Sequence, residues 1–139
     1  MKTKLIQRIP VLMLPAALVI VAMMAFRVNK TSDNPQGVVA YTKSVTNITT
    51  MTATCNYRVT VLDLGKVKGH GVCVSSRELP VITNMNFPSA APIQRAADYM
   101  VKITGLKPLS TMYARSYVKV DTGVVYGNVV RFVTLRPEK

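Results

Sequence analysis

Gly105-Leu-Lys-Pro-Leu-Ser-Thr-Met-Tyr-Ala-Arg-Ser-Tyr-Val-Lys-Val120 is the run on which the fold turns. Gly105 and Pro108 punctuate a turn, and a stretch of strict alternation follows. Met112, Ala114, Ser116 and Val118 fall on one side, and Tyr113, Arg115, Tyr117 and Lys119 on the other. A period of two predicts a β-strand over 112–120 with one face against a core.

Working outward, the same texture covers the chain from residue 38 onward. Thr52–Val61 alternates Ala53, Cys55, Tyr57, Val59 and Val61 against Thr54, Asn56, Arg58 and Thr60. Tyr99, Val101 and Ile103 repeat the pattern, as do Val130, Phe132 and Thr134 within a strand expected over 129–135, leaving Val129, Arg131 and Val133 outward. Val38–Thr42 and Val45–Ile48 suit a first edge strand with a break. Residues 62–68, with Asp63 and Gly65, read as a turn, 69–75 as a third strand and Pro80–Thr83 as a short fourth. Pro88 and Pro92 make 84–96 an irregular connection, with room for one helical turn over 94–98. Further turns are expected at 121–123 and at Gly127-Asn128. Short strands separated by turn signals at this spacing predict an all-β, seven-stranded antiparallel sandwich.

The first 26 residues are a different material. Lys2, Lys4 and Arg8 precede an uncharged apolar run from Ile9 to Phe26. As a helix, eighteen residues would reach about 27 Å, close to the ~30 Å hydrocarbon core of a bilayer. The run therefore predicts an N-terminal hydrophobic helix, either a signal peptide or an uncleaved membrane anchor. Ala22 and Ala25 offer cleavage sites of modest quality, while the run exceeds a usual signal core of about 7–15 residues. Residues 27–36 are polar and form a linker, which leaves 37–137 as the folded domain. In either case the domain is exported to the cell envelope, membrane-anchored or secreted.

The chain carries 18 basic and 6 acidic side chains, a net charge of +12. That surplus favours polyanionic neighbours without fixing a fold. The basic residues are scattered and match no nucleic-acid-binding motif, so nucleic acid is not an expected partner. No zinc spacing, phosphate loop or nucleophile elbow accompanies His70, the single histidine, which reads as a surface or strand-end residue. The chain is thus expected to be neither an enzyme nor a cofactor carrier. Parity turns Cys55 into the sandwich and Cys73 out of it, because Val72 and Val74 take the inward positions of the third strand. Two side chains so directed do not suit a disulfide.

These residues also resemble a fibronectin type III domain of the kind found in bacterial envelope and secreted proteins. The similarity is carried by Val45-Thr-Asn-Ile48 with Thr52-Ala-Thr54, by Gly71-Val-Cys73 with Ser75, Ser76 and Pro80, by Leu106-Lys-Pro108 with Tyr113-Ala-Arg115-Ser-Tyr117, and by Tyr126-Gly-Asn128 with Phe132. It spans about residues 38–135 and implies an immunoglobulin-like sandwich. Met112 stands where the family has its corner tyrosine, so that hydroxyl-to-backbone bond is missing. One fold hosts many functions, and the resemblance implies only a scaffold, adhesion or protein-interaction module with a partner in the envelope. Strand addition at an open sheet edge is a second route to a partner. The alternative is a module binding a surface glycan or polyanion through Tyr113, Arg115, Tyr117, Lys119 and Arg131. Aromatic rings stack on sugars, and cations attract carboxylates and phosphates.

Overall fold

The computed structural model describes residues 37–139. The expected N-terminal helix over 1–26 and the linker over 27–36 lie outside the described residues. Seven strands form: β1 (Val38–Thr46), β2 (Ala53–Val61), β3 (Val67–Ser75), β4 (Met85–Pro88), β5 (Ala96–Ile103), β6 (Thr111–Val120) and β7 (Gly123–Val133). They make two antiparallel sheets, ordered β1-β2-β5 and β4-β3-β6-β7. No α-helix occurs among the described residues, and none there is long and apolar enough to cross a membrane.

The inward faces are those that alternation predicts. Cys55, Tyr57 and Val59 from β2 meet Val72 and Val74 from β3, with Ala114 and Val118 from β6, all essentially inaccessible to solvent. Val101, Ile103 and Phe132 extend the same core. Burying one Val, Leu, Ile or Phe side chain contributes about 1.5–3 kcal/mol, so the interlayer contact is the main stabilising term.

Several local expectations are corrected. Pro80–Thr83 is not a strand. The Asn84 side chain accepts the Val81 N–H at 2.9 Å, and the Asn84 N–H bonds the Val81 carbonyl, closing a turn. The fourth strand lies further on, at 85–88, inside the segment expected to be irregular. It pairs Met85, Asn86, Phe87 and Pro88 with Val74, Cys73, Val72 and Gly71. As an edge strand it tolerates a terminal proline, which forfeits one N–H. Residues 96–98 belong to β5 rather than to a helical turn. The break in β1 is a bulge at Lys43, between the pairs Thr42↔Tyr57 and Ser44↔Asn56. Gly127-Asn128 is likewise a bulge and not a turn, since two residues of β7 oppose the single Ser116 of β6 between Arg115↔Val129 and Tyr117↔Tyr126. β7 therefore begins at once after the tight hairpin at Asp121-Thr122.

That bulge joins the two layers along one seam. It re-aims Asn128, whose Oδ1 accepts the Thr42 N–H at 2.8 Å while its Nδ2 donates to the Thr42 carbonyl at 2.9 Å. The carboxamide thus takes the place of a neighbouring strand's peptide group. Thr42 Oγ1 donates to the Asn128 carbonyl at 2.7 Å and accepts the Ser116 N–H at 2.9 Å. With its one proton so used, the 2.9 Å contact to Ser116 has the serine hydroxyl as donor. A Cβ on Gly127 would meet Ser116 Oγ and, at 2.9 Å, the Ala40 carbonyl oxygen, so only glycine lets β1 approach this closely.

Candidate interaction surfaces

Tyr113, Arg115, Tyr117, Lys119 and Arg131 all point to the outer side of the four-stranded sheet, as alternation requires. They do not form one open face. Tyr117 is 1 % exposed, because Gly71 has no side chain and the ring lies across β3 above it. Its hydroxyl sits beside Asn86 without a hydrogen bond of ordinary geometry, and burial raises its pKa. The β3–β4 connection closes over the same area. Pro80 is fully buried, and the Ile82 N–H donates to Tyr126 Oη at 3.1 Å. Arg115 is held by its own sheet: Nε donates to the Gly127 carbonyl at 2.8 Å, and its guanidinium stacks 4.5 Å above the Tyr126 ring. Lys119 lies 5.9 Å from the Tyr117 ring. Tyr113, paired with Arg131, is left as the accessible remainder of that face.

His70 is buried, contrary to the surface position expected for it. It shares the inward face of β3 with Val72 and Val74, and its ring packs 4.3 Å from Tyr99. Nε2 lies 2.9 Å from the Ala91 carbonyl, which can only accept, so Nε2 carries the proton and Nδ1 accepts from Tyr57 Oη at 2.8 Å. Tyr99 Oη donates to the Pro92 carbonyl and accepts the Gln94 N–H. Burial raises the Tyr57 pKa far above its ordinary value. This cluster ties the β4–β5 connection to the core and has a packing role. Parity alone would have revealed it, since a residue two before Val72 must face inward with it.

Both cysteines are free thiols. Cys55 lies between the layers, its pKa pushed up to about 12 by burial first and by Cys73 second. Cys73 lies on the outer side of β3, covered, with Sγ 3.3 Å from the Arg115 carbonyl. Burial holds its pKa at about 11 despite Arg115. Protonated thiols of this kind are poor nucleophiles and poor metal ligands. Among the described residues no three His, Cys, Asp or Glu side chains converge as metal ligands.

The best-formed concavity was not singled out from sequence. It lies at the end of the sandwich opposite Gly37, where the β1–β2, β3–β4 and β5–β6 connections gather with the C-terminal residues. A cavity of about 300 Å³ has Val74, Met85, Leu106 and Met112 as apolar walls, with Ser76, Asn84, Lys107 and Ser110 among its polar lining. The connections are bonded to one another: Leu106 N–H to the Met51 carbonyl, Leu135 N–H to Thr49, and Leu109 N–H to Leu135. Met51, Leu79, Leu109 and Leu135 are each more than half exposed at this end. A non-local assembly of three loops leaves no signal in a local pattern.

No protein-family profile matches the chain, and no curated protein matches it. Solved structures do. The sensor domain of the anti-sigma factor RsgI4 from Pseudobacteroides cellulosolvens, in a longer form, is 19% identical with a TM-score of 0.55, over 73% of this chain and 93% of that one. A shorter form is 17% identical with a TM-score of 0.54, over 73% and 97%. The solution structure of the same sensor domain is 18% identical with a TM-score of 0.53, over 73% and 77%. At such identities the likeness is one of fold: residues 37–139 adopt an all-β sandwich similar to these sensor domains.

Proposed function

We propose that this chain is a non-enzymatic sensing or protein-interaction module of the cell envelope, exported through residues 1–26 and held by them as an anchor or released from them as a signal peptide. Residues 37–137 act as one fibronectin type III-like domain. The 3 + 4 strand order supports that reading of the sandwich, and the fold likeness to sensor domains supports a sensing role. The observation that carries the proposal is the asymmetry of the two sandwich ends. The described chain begins at Gly37, at one end of the sandwich, and the exposed Met51, Leu109 and Leu135 with the cavity stand at the opposite end. Exposed apolar side chains beside a preformed hollow are what a protein partner buries.

A glycan- or polyanion-binding role through Tyr113, Arg115, Tyr117, Lys119 and Arg131 is the weaker reading, because Tyr117 is covered and Arg115 is engaged. Photo-crosslinking residues placed singly at Met51, Leu109, Tyr113 and Arg131 of the full chain in intact cells test the choice. Adducts with an envelope protein are expected from the first two positions. Adducts from Tyr113 and Arg131 alone, abolished by salt, would transfer the function to the sheet face.

A further inference from the structure

We propose that β5 pairs edge to edge with the β5 of a second copy of this chain, antiparallel, about a two-fold axis at Met100. The direction of its backbone groups sets the register. The Val61 N–H bonds the Arg95 carbonyl at 2.7 Å, and Val61↔Arg95 continues the β2–β5 register. Directly opposed residues in an antiparallel ladder alternate between exchanging both bonds and exchanging none. Residues 97, 99, 101 and 103 therefore spend their peptide groups on β2. The N–H and C=O of Ala96, Asp98, Met100 and Lys102 point away, along an edge that no strand covers among the described residues.

Pairing Met100 with the partner's Met100 sets Asp98 against the partner's Lys102 and Lys102 against the partner's Asp98. These same even-numbered residues hold the outward peptide groups, so backbone bonding and side-chain pairing demand one register. Lys102 has no ion-pair partner among the described residues, whereas Asp98 is an acidic group of the same outer face, 3.1 Å from both Lys43 and Arg58. Met100 is 74 % exposed and would be covered by its own mate. A groove of about 460 Å³ between β4 and β5, bordered by Phe87, Pro88, Met100 and Lys102, leaves space beside the edge. The other edges are less suited. β4 is four residues long and ends in Pro88, and β1 and β7 face each other across the Thr42–Asn128 bonds. This inference does not rest on the function proposed above.

Disulfide trapping in the full chain, solubilised in mild detergent, decides the matter. In this register two residues at position 100 have Cα atoms about 5.5 Å apart, inside the roughly 4.4–6.8 Å span of a disulfide. Met100→Cys should form a covalent dimer rapidly under mild oxidation. Ala96→Cys, on the same edge and face, should not, because its mate lies eight residues along, about 27 Å away. In the Met100→Cys background, Lys102→Glu should slow trapping about tenfold by opposing like charges on both sides of the axis, and adding Asp98→Lys should restore it. Circular-dichroism melting of each variant checks that the fold is retained. Equal trapping at positions 96 and 100, no trapping at 100, or indifference to Lys102→Glu would each overturn the proposal.

Discussion

The two seams of this sandwich are built in opposite ways. Along one, β1 meets β6 and β7 at Thr42, Ser116, Gly127 and Asn128, with five hydrogen bonds crossing the gap, all of them made by Thr42. Along the other, β4 and β5 lie beside a groove, with outward peptide groups on β5 and exposed side chains at Asp98, Met100 and Lys102. The contrast teaches that the sandwich bonds its edge strands directly to one another along one seam only. On the other side the Tyr57–His70–Ala91 hydrogen bonds tie the β4–β5 connection to the core, and the β5 edge itself is left to whatever approaches from outside. Substitutions of similar size should therefore have unequal consequences on the two sides.

The largest effect is expected at Thr42. Thr42→Val keeps the shape but removes the oxygen that bonds the Ser116 N–H and hydroxyl, and Ser116 is fully buried. An orphaned buried donor costs about 1–3 kcal/mol, so roughly 3 kcal/mol in all is expected, read as a lower urea midpoint at unchanged slope. Gly127→Ala should follow at about 2 kcal/mol, the cost of forcing a methyl group into a filled space. Its Cβ would press on Ser116 Oγ, which can turn aside only by giving up Thr42, and on the Ala40 carbonyl, which cannot withdraw without parting β1 from β7. If both changes prove neutral, the closed seam contributes no more than the open one and the contrast fails.

On the open side, Met100→Ala alters more atoms than either of those changes, yet it should shift the monomer's stability by no more than about 0.5 kcal/mol, as is usual for exposed positions. A loss of several kcal/mol there would mean that the edge is covered within a single chain.

The same contrast explains what was legible in the sequence. Alternation fixes which side of a strand faces the core, so the inward sets of β2, β5, β6 and the part of β7 beyond its bulge follow from period two alone. The outward direction of Tyr117 and Cys73 follows in the same way. What alternation cannot supply is the cover on an outer face. Tyr117 is buried because Gly71, on a neighbouring strand from elsewhere in the chain, leaves room for its ring, and Cys73 is covered on the same outer face. Val81 and Ile82 carry strand propensity, and Pro88 and Pro92 argue against a strand. The Asn84 side chain reverses the first expectation, and the tolerance of an edge for proline reverses the second. Asn128 beside a glycine reads as a turn in any local window. Its partner Thr42 lies 86 residues away, so the bulge becomes visible only once β1 is in place. His70 alone was readable in advance, from its parity with Val72 and Val74.

The smallest effect, and the one that sharpens the comparison, concerns charge. Asp98 bridges three strands on the outer face, bonded to Lys43 on the β1 bulge and to Arg58 on β2. The Lys43 hydrogen bond first, and then the Arg58 bond and the charges of both cations, hold the carboxyl below its ordinary range against a small desolvation cost. A carboxylate whose folded pKa is depressed contributes stability that is present above its unfolded value, near 3.9, and lost as pH falls through the lower folded value. Asp98→Asn should therefore be less stable than the parent at pH 7, and the gap should narrow as the pH falls below the unfolded value. Because the pair is open to water, about 1 M salt should narrow the gap at pH 7 as well. Urea midpoints for both proteins at pH 7, at pH 3 and in high salt measure this directly. A gap that widens on acidification would mean that Asp98 is strained by its neighbours rather than held by them, and the open seam would then lack the one polar tie that spans its sheet.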